Sequence, residues 1–182
     1  MENSKIPDSG DKQRLRQNQG QAYEKALQYM KNETGTFNFQ EVDDYIISST
    51  SEKAEGFYAL MPEGGLEWQT PNPNENQHIE VIVQDREDQR FLPNLEVFYE
   101  LRDIDNNFIS QDYLSFIWHP FLFHYGANIE IPQESEYKLK VTVKAPSFNR
   151  HDEILGKKYA NDVTVELGPI KMTPGQKPHG PE

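Results

Sequence analysis

Tyr137-Lys138-Leu139-Lys140-Val141-Thr142-Val143-Lys144 alternates apolar and polar residues at every step. Successive side chains of a strand point to opposite faces, so Tyr137, Leu139, Val141 and Val143 line a core while the lysines and Thr142 face out. The same two-residue period recurs in Val163, Val165 and Leu167, and in Leu95, Val97, Tyr99 and Leu101. Strands are expected over 44–50, 56–61, 78–83, 95–102, 113–118, 128–131, 137–145 and 162–167. Turn-forming clusters separate them, among them Pro71-Asn72-Pro73-Asn74, Asp85-Arg86-Glu87-Asp88 and Pro132-Gln133-Glu134-Ser135. Eight short one-sided strands, without helices alternating between them, predict an all-β fold: an immunoglobulin-like antiparallel β-sandwich.

Before these strands the period is helical. Tyr23, Ala26, Leu27 and Met30 fall at i, i+3, i+4 and i+7, one apolar stripe of about two turns, and Gly35 follows as a stop. An N-terminal helix over about 11–32, docked or dimerising, is therefore appended to the sandwich. The expected division is an extension over 1–36, a β domain over 37–170 and a disordered Pro/Gly tail over 171–182, where His179 is a passenger. Residues 1–10 also read as disordered.

Composition narrows the chemistry. The 182 residues carry a formal net charge of -12 and no cysteine. The absence of thiols rules out disulfides, thiolate metal sites and cysteine nucleophiles. The acidic balance argues against a phosphate-backbone partner, so no nucleic acid is expected, and cations suit the chain better. No apolar run reaches the roughly 20 residues that span a bilayer. Met1 to Lys5 has no apolar signal core, which fits a cytoplasmic chain or a mature one. No phosphate-binding loop or nucleophile elbow occurs.

The histidines carry the functional signal. His78 and Glu80 lie two apart on one strand and share a face, opposite Ile79, Val81 and Val83. An imidazole and a carboxylate so placed suit a hard or borderline cation, or simply a solvated face with a His–Glu hydrogen bond. His119 and His124 flank the apolar stretch Pro120-Phe121-Leu122-Phe123. Imidazoles there need a partner, either a metal or a buried hydrogen bond. His151 follows a proline-containing loop and reads alone as a surface histidine.

Several of these motifs together resemble the periplasmic ferrous-iron transport accessory family. His124-Tyr125-Gly126-Ala127-Asn128-Ile129 looks like that family's H-Y-G-[AD]-N-[IV] signature, and His78-Ile79-Glu80 like its H-x-E strand. Phe91-Leu92-Pro93-Asn94-Leu95 is similar to its W-[IV]-P-Y-L segment, and Arg150-His151-Asp152-Glu153 to its R-H-T-D loop. The resemblance covers roughly 46–170. It implies a non-enzymatic immunoglobulin-like protein, usually a homodimer, located in the periplasm or otherwise outside the cytoplasm. It implies copper (Cu2+) as ligand, with iron or zinc as alternatives, and a membrane iron permease as a partner.

Carried over by position, the resemblance makes His78, Glu80, His124 and His151 metal ligands. The family's methionine ligand has no match, because Met1, Met30, Met61 and Met172 all lie away from the segment before His124. His119 is expected to substitute for it, which shifts preference from Cu(I) toward Cu(II), Zn(II) or Fe(II). The sequence thus predicts assistance to divalent-metal uptake, most of all ferrous iron, through His78, Glu80, His119, His124 and His151. Two other readings stand beside it. One is a non-haem iron enzyme with a His-x-Glu…His triad. The other is a metal-free interaction module.

Overall fold

Ten strands and one long helix make up the fold of residues 10–178, which the computed structural model describes. The helix α1 (Gly10–Thr34) is followed by β1 (Asn38–Val42), β2 (Tyr45–Glu52), β3 (Phe57–Leu60), β4 (Leu66–Gln69) and β5 (Gln77–Asp85). Then come β6 (Val97–Asp103), β7 (Phe108–Trp118), β8 (Phe123–Ile129), β9 (Ser135–Val143), a short 3-10 turn at Leu155–Lys157 and β10 (Val163–Met172). Eight strands form one antiparallel sheet in the order β1-β2-β5-β8-β7-β6-β9-β10, while β3 and β4 pair in a separate hairpin. The expected all-β antiparallel architecture with an N-terminal helix is present. Its two layers are halves of one sheet that curls until β10 lies beside β1 and β2, nearly closing a barrel.

The alternation explains the core. Tyr137, Leu139, Val141 and Val143 of β9 and Val163, Val165 and Leu167 of β10 are buried with Val97, Tyr99 and Leu101 of β6. From the facing layer, Tyr45, Ile47, Ile79, Val81, Val83 and Tyr125 fill the same core. The Tyr125 hydroxyl donates to Leu92 O at 2.7 Å and accepts from Leu95 N at 3.1 Å, pinning the segment before β6. Burial raises that phenol to about 12, so it keeps its proton as a donor.

A second core lies on the opposite face of the sheet. Leu27 and Met30 of α1 bury against Ile82, Phe91 and Leu122, with Tyr23 and Ala26 at the margin. The Tyr23 ring stacks on Phe91 with centroids 4.4 Å apart. Gly20 makes this approach possible, because a Cβ there would lie 1.6 Å from Asp88 O. At the far end the Gly35 N–H bonds to Lys31 O at 3.2 Å with φ +66°, a left-handed cap that ends the helix as expected.

The structure departs from the sequence reading in four places, one of them β8, which runs over Phe123–Ile129 where a strand over 128–131 was expected. Strands β1 and β4 were not expected, because neither Asn38–Val42 nor Leu66–Gln69 has a clean buried face. Next, β10 runs on to Met172, so residues 168–172 belong to the sheet. Residues beyond it are held rather than loose. Ala54 N–H donates to Gly175 O at 3.0 Å, Gly175 N–H to Asn76 O at 2.7 Å, and Lys177 N–H to Ala54 O at 2.8 Å. Residues 1–9 and His179, read as unordered, lie outside the described residues.

The helix is thus a roof on the sheet. Leu27→Ala should lower unfolding free energy by about 2–5 kcal/mol, because it opens a cavity between α1 and β5. Gly20→Ala should cost as much or more, since backbone must move. Urea denaturation followed by circular dichroism measures both; a loss under 0.5 kcal/mol in each would show that the helix is a loose appendage.

Candidate metal centre

Strand β5 has every residue buried, on both faces. His78, Glu80 and Ile82 share the outer face; α1 covers Ile82, while residues 53–56 and the strap of residues 173–177 lie at the His78 end. His78 is 0% exposed, Glu80 5% and His124 1%. The open alternative of a solvated strand face is therefore overturned. A signal for this was available: Ile82 sits on the supposed polar face, and the apolar stripe of α1 needed a surface to cover.

Register brings the site together. His78 pairs with Asn128 and Glu80 with Gly126 across β5–β8, and Glu52 pairs with His78 across β2–β5. Directly paired residues share a face, so Glu52, His78, Glu80, His124 and Asn128 converge. Gly126 leaves the space that they fill. A Cβ at Gly126 would sit 2.9 Å from His78 Nε2 and 3.0 Å from His124 Nε2.

Asn128 sets the protonation of His78. Asn128 Nδ2 donates to Glu55 O at 2.8 Å, which fixes Oδ1 as the acceptor. His78 Nδ1 lies 2.9 Å from that Oδ1 and must carry the hydrogen, leaving the Nε2 lone pair bare. That Nε2 is 3.5 Å from His124 Nε2. Glu80 Oε1 lies 3.8 Å from His124 Nε2, and Glu55 Oε1 lies 3.9 Å from His78 Nε2.

Burial disfavours the protonated form of both imidazoles. Burial lowers His78, only partly offset by the Glu55 charge and the Asn128 hydrogen bond. Burial lowers His124 well below its usual value, helped by His78 and His119. Their carboxylate contacts are therefore not ion pairs. Burial also raises Glu80 well above the usual carboxyl range, reinforced by the charges of Glu52 and Glu55.

His78, Glu80 and His124 each offer a ligand atom, all within 4.8 Å of one another. The group fits a metal ion on two further counts. Two imidazole nitrogens bound at about 2.0–2.1 Å each stand roughly 3–4 Å apart, as these do. The Glu80 Oε2 and His124 Nδ1 atoms are buried without a hydrogen-bond partner, a desolvation cost that a cation on the cluster would offset.

The other expected ligands are placed differently. His119 lies against the group: its ring centroid is 5.1 Å from that of His124, tilted by 32°. It is half-buried and outside the group of converging ligand atoms. His151 is not brought to the cluster. Its loop lies toward the Asp85 end of β5, where Lys158 Nζ meets Asp85 Oδ2 at 2.8 Å and Lys12 and Arg16 act on Asp152. Seven residues of strand, about 23 Å, separate that end from His78. Met30 and Met172 are buried in the two cores, so neither supplies a thioether here.

The sequence reading missed Glu52, Glu55, Gly126 and Asn128 as site residues. Asn128 stood within the quoted hexapeptide and was the available signal. The two glutamates become neighbours only through the β2–β5 register and the turn after it.

Comparison with known proteins follows the same lines. The family model described as "Fe2+ transport protein" matches residues 63–173. UPF0423 proteins of Brucella abortus (strain 2308) and Brucella suis biovar 1 are 30% identical over 100 residues, 50% of this chain and 53% of theirs. The chain thus spans about half the length of these curated relatives. FetP of uropathogenic E. coli strain F11 superposes with a TM-score of 0.57 at 20% identity, over 75% of this chain and 93% of that one. A copper-bound variant of Campylobacter jejuni P19 gives 0.58 at 21%, over 77% and 96%. At these identities the likeness is one of fold.

Two measurements test the geometry. Gly126→Ala should displace the imidazoles and destabilise the fold by about 1–3 kcal/mol, as overpacking does. The second is pH. Folded His78 and His124 titrate below the unfolded value near 6.5, so the unfolded chain binds more protons as pH falls beneath it. Stability is full above about pH 6.5 and declines below it, by up to about 1.4 kcal/mol per pH unit for each histidine. Glu80, raised in the fold, works in the opposite sense. Comparing chemical denaturation of the parent and His124→Gln at pH 7.5 and 5.5 isolates the histidine part: the parent should lose more stability on acidification. Equal losses would contradict neutral buried imidazoles.

Proposed function

The chain belongs to the Fe2+ transport protein family, and on that premise we propose that it binds divalent metal at His78, Glu80 and His124 to assist ferrous-iron uptake. The observation that carries this reading is the pair of neutral, buried imidazoles whose Nε2 atoms face each other at 3.5 Å beside an unpartnered carboxylate oxygen. Neutral nitrogen donors and one carboxylate suit Cu(II), Fe(II) and Zn(II) alike, and the copper-bound variant of P19 on this fold favours copper as a ligand. Asn128 holds the His78 ring in the tautomer that presents Nε2, the usual role of a residue behind a metal-binding imidazole. Ferrous iron is the cargo and copper a candidate resident ion.

The protein acts by binding and passing metal, not by catalysis. The burial of His78, Glu80 and His124 suits an ion better than an organic substrate. Location outside the cytoplasm, in the periplasm, and a membrane iron permease as recipient belong to the same reading, supported by the family match. His119, against His124, is an outer or alternative ligand. A homodimer completes the proposal, since a second copy is the route by which a loop carrying His151 would approach a cluster that its own chain does not reach.

Copper titration with Cu(II) EPR tests this. His78→Ala and His124→Ala should each weaken Cu(II) binding by at least about 100-fold, because each removes a donor nitrogen. His119→Ala should have a smaller effect, and His119→Met should shift preference toward Cu(I). His151→Ala should weaken binding only at concentrations where sedimentation shows dimer. Full affinity in both His78→Ala and His124→Ala would refute the site.

A further inference from the structure

A cleft of about 540 Å³ lies beside the middle of α1, and none of the metal-centre residues lines it. Its walls include Tyr23 of α1, Phe91, Phe121, Phe148 and Tyr159, and Arg90 is the one charged residue among the described residues that line it. Small-molecule sites are commonly of this size, roughly 300–1,000 Å³, and mostly apolar with a few polar groups. The walls are held in place. Tyr23 stacks on Phe91, and the Arg150 guanidinium lies 5.2 Å from the centre of the Phe148 ring. The Tyr159 hydroxyl is bonded to Asp85, its N–H donates to Asp44 Oδ2 at 3.1 Å, and its carbonyl accepts from Arg150 Nη2 at 3.2 Å. These bonds keep Tyr159 at φ +60°, a left-handed conformation that bulky residues rarely adopt. The cleft depends on α1, and the family-model match begins only at residue 63, so this wall lies outside the matched region.

Arg90 supplies what a purely apolar cleft lacks. Its Nε donates to Asp88 Oδ1 at 3.0 Å, and its two terminal nitrogens bond to no group among the described residues. Asp88 is shared, because its Oδ2 accepts from Arg16 Nη1 at 3.0 Å. The neighbouring carboxylates are engaged elsewhere, with Lys158 Nζ 2.8 Å from Asp85 Oδ2 and 2.9 Å from Glu87 Oε2. The free donors of a guanidinium form a planar fork that matches a carboxylate with two parallel hydrogen bonds. Gln19 and Ala22, both exposed on α1, form the rim. Ring faces on several sides and a cation at one wall select a flat aromatic group that carries a negative charge. An aromatic cation would meet Arg90, and an aliphatic acid would leave the ring faces poorly covered.

We propose that this cleft binds an aromatic carboxylate of one or two fused rings. The rings pack among Tyr23, Phe91, Phe121 and Phe148, and the carboxylate sits on the terminal nitrogens of Arg90. The binding is non-covalent. It goes beyond the metal-binding reading and stands apart from it, because the cleft shares no residue with the His78, Glu80 and His124 group.

The test uses the full chain without added metal, with 2-naphthoate as the probe, followed by calorimetry and NMR. Naphthoate should bind with a Kd at or below about 1 mM, the range that a ligand of its size reaches. It should bind at least about fivefold tighter than 2-naphthalenemethanol, which keeps the rings and lacks the charge. In the parent, naphthoate should shift the resonances of Phe148 and Tyr159. Arg90→Gln should bring the acid down to the affinity of the alcohol and leave the alcohol unchanged, which also shows that the cleft still forms. Ala22→Trp, at the exposed rim, should weaken both ligands at least about tenfold by filling the mouth. Equal affinity for acid and alcohol in the parent, or a difference that survives Arg90→Gln, overturns the proposal. So does full binding in Ala22→Trp, or naphthoate shifts that spare Phe148 and Tyr159.

Discussion

Burial of both faces of one strand underlies most of what this molecule can do. Antiparallel sheets commonly keep one face wet, and a strand reading His-Ile-Glu-Val-Ile-Val would then place its imidazole and carboxylate in water. Here α1 covers the Ile82 part of the outer face, and residues 53–56 with the C-terminal strap close the His78 end. Water is excluded from groups that normally depend on it. The neutral histidines, the raised Glu80 and the orphaned oxygens and nitrogen all follow from this exclusion.

A buried polar cluster of this kind is expensive in stability unless its members satisfy one another. Asn128 settles His78 on one side, and Lys177 settles Glu52 and Glu55 on the other. Between them remain His124 and Glu80, each with an atom left over. Replacing these residues by apolar ones of similar size would be expected to stabilise the fold. What the burial leaves is a set of lone pairs for which bulk water does not compete.

How far the amino-acid sequence foretold this depends on range. The alternation in Tyr137–Val143 and Val163–Leu167 needs only neighbours along the chain, and it located those strands and the core face. The i, i+3, i+4, i+7 stripe from Tyr23 to Met30 and the Gly35 stop located the helix for the same reason. His78, Glu80 and His124 were legible as candidate site residues because spacing and the His124–Ile129 motif marked them, and the fold brings their ligand atoms within 4.8 Å of one another. What was not legible depends on register. Nothing local says that Glu52 will stand opposite His78, or that Lys177, behind four residues of Thr, Pro, Gly and Gln, will fold back to Ala54. His151 shows the converse: a motif match placed it among the ligands, and the loop's anchoring by Lys158 and Tyr159 to Asp85 holds it at the other end of β5.

The curling of the sheet carries a last consequence. Where β1 and β10 come together, the seam is spanned by a side chain, Gln40 Nε2 donating to Glu166 O at 2.7 Å, rather than by a backbone ladder. Each terminal strand shields the other's unpaired amides and carbonyls without consuming them. An exposed edge is the usual template on which foreign strands accrete, and this fold hides its edge by curvature instead of by charge or proline. Two copies of this fold would accordingly meet through side-chain faces rather than by extending the sheet.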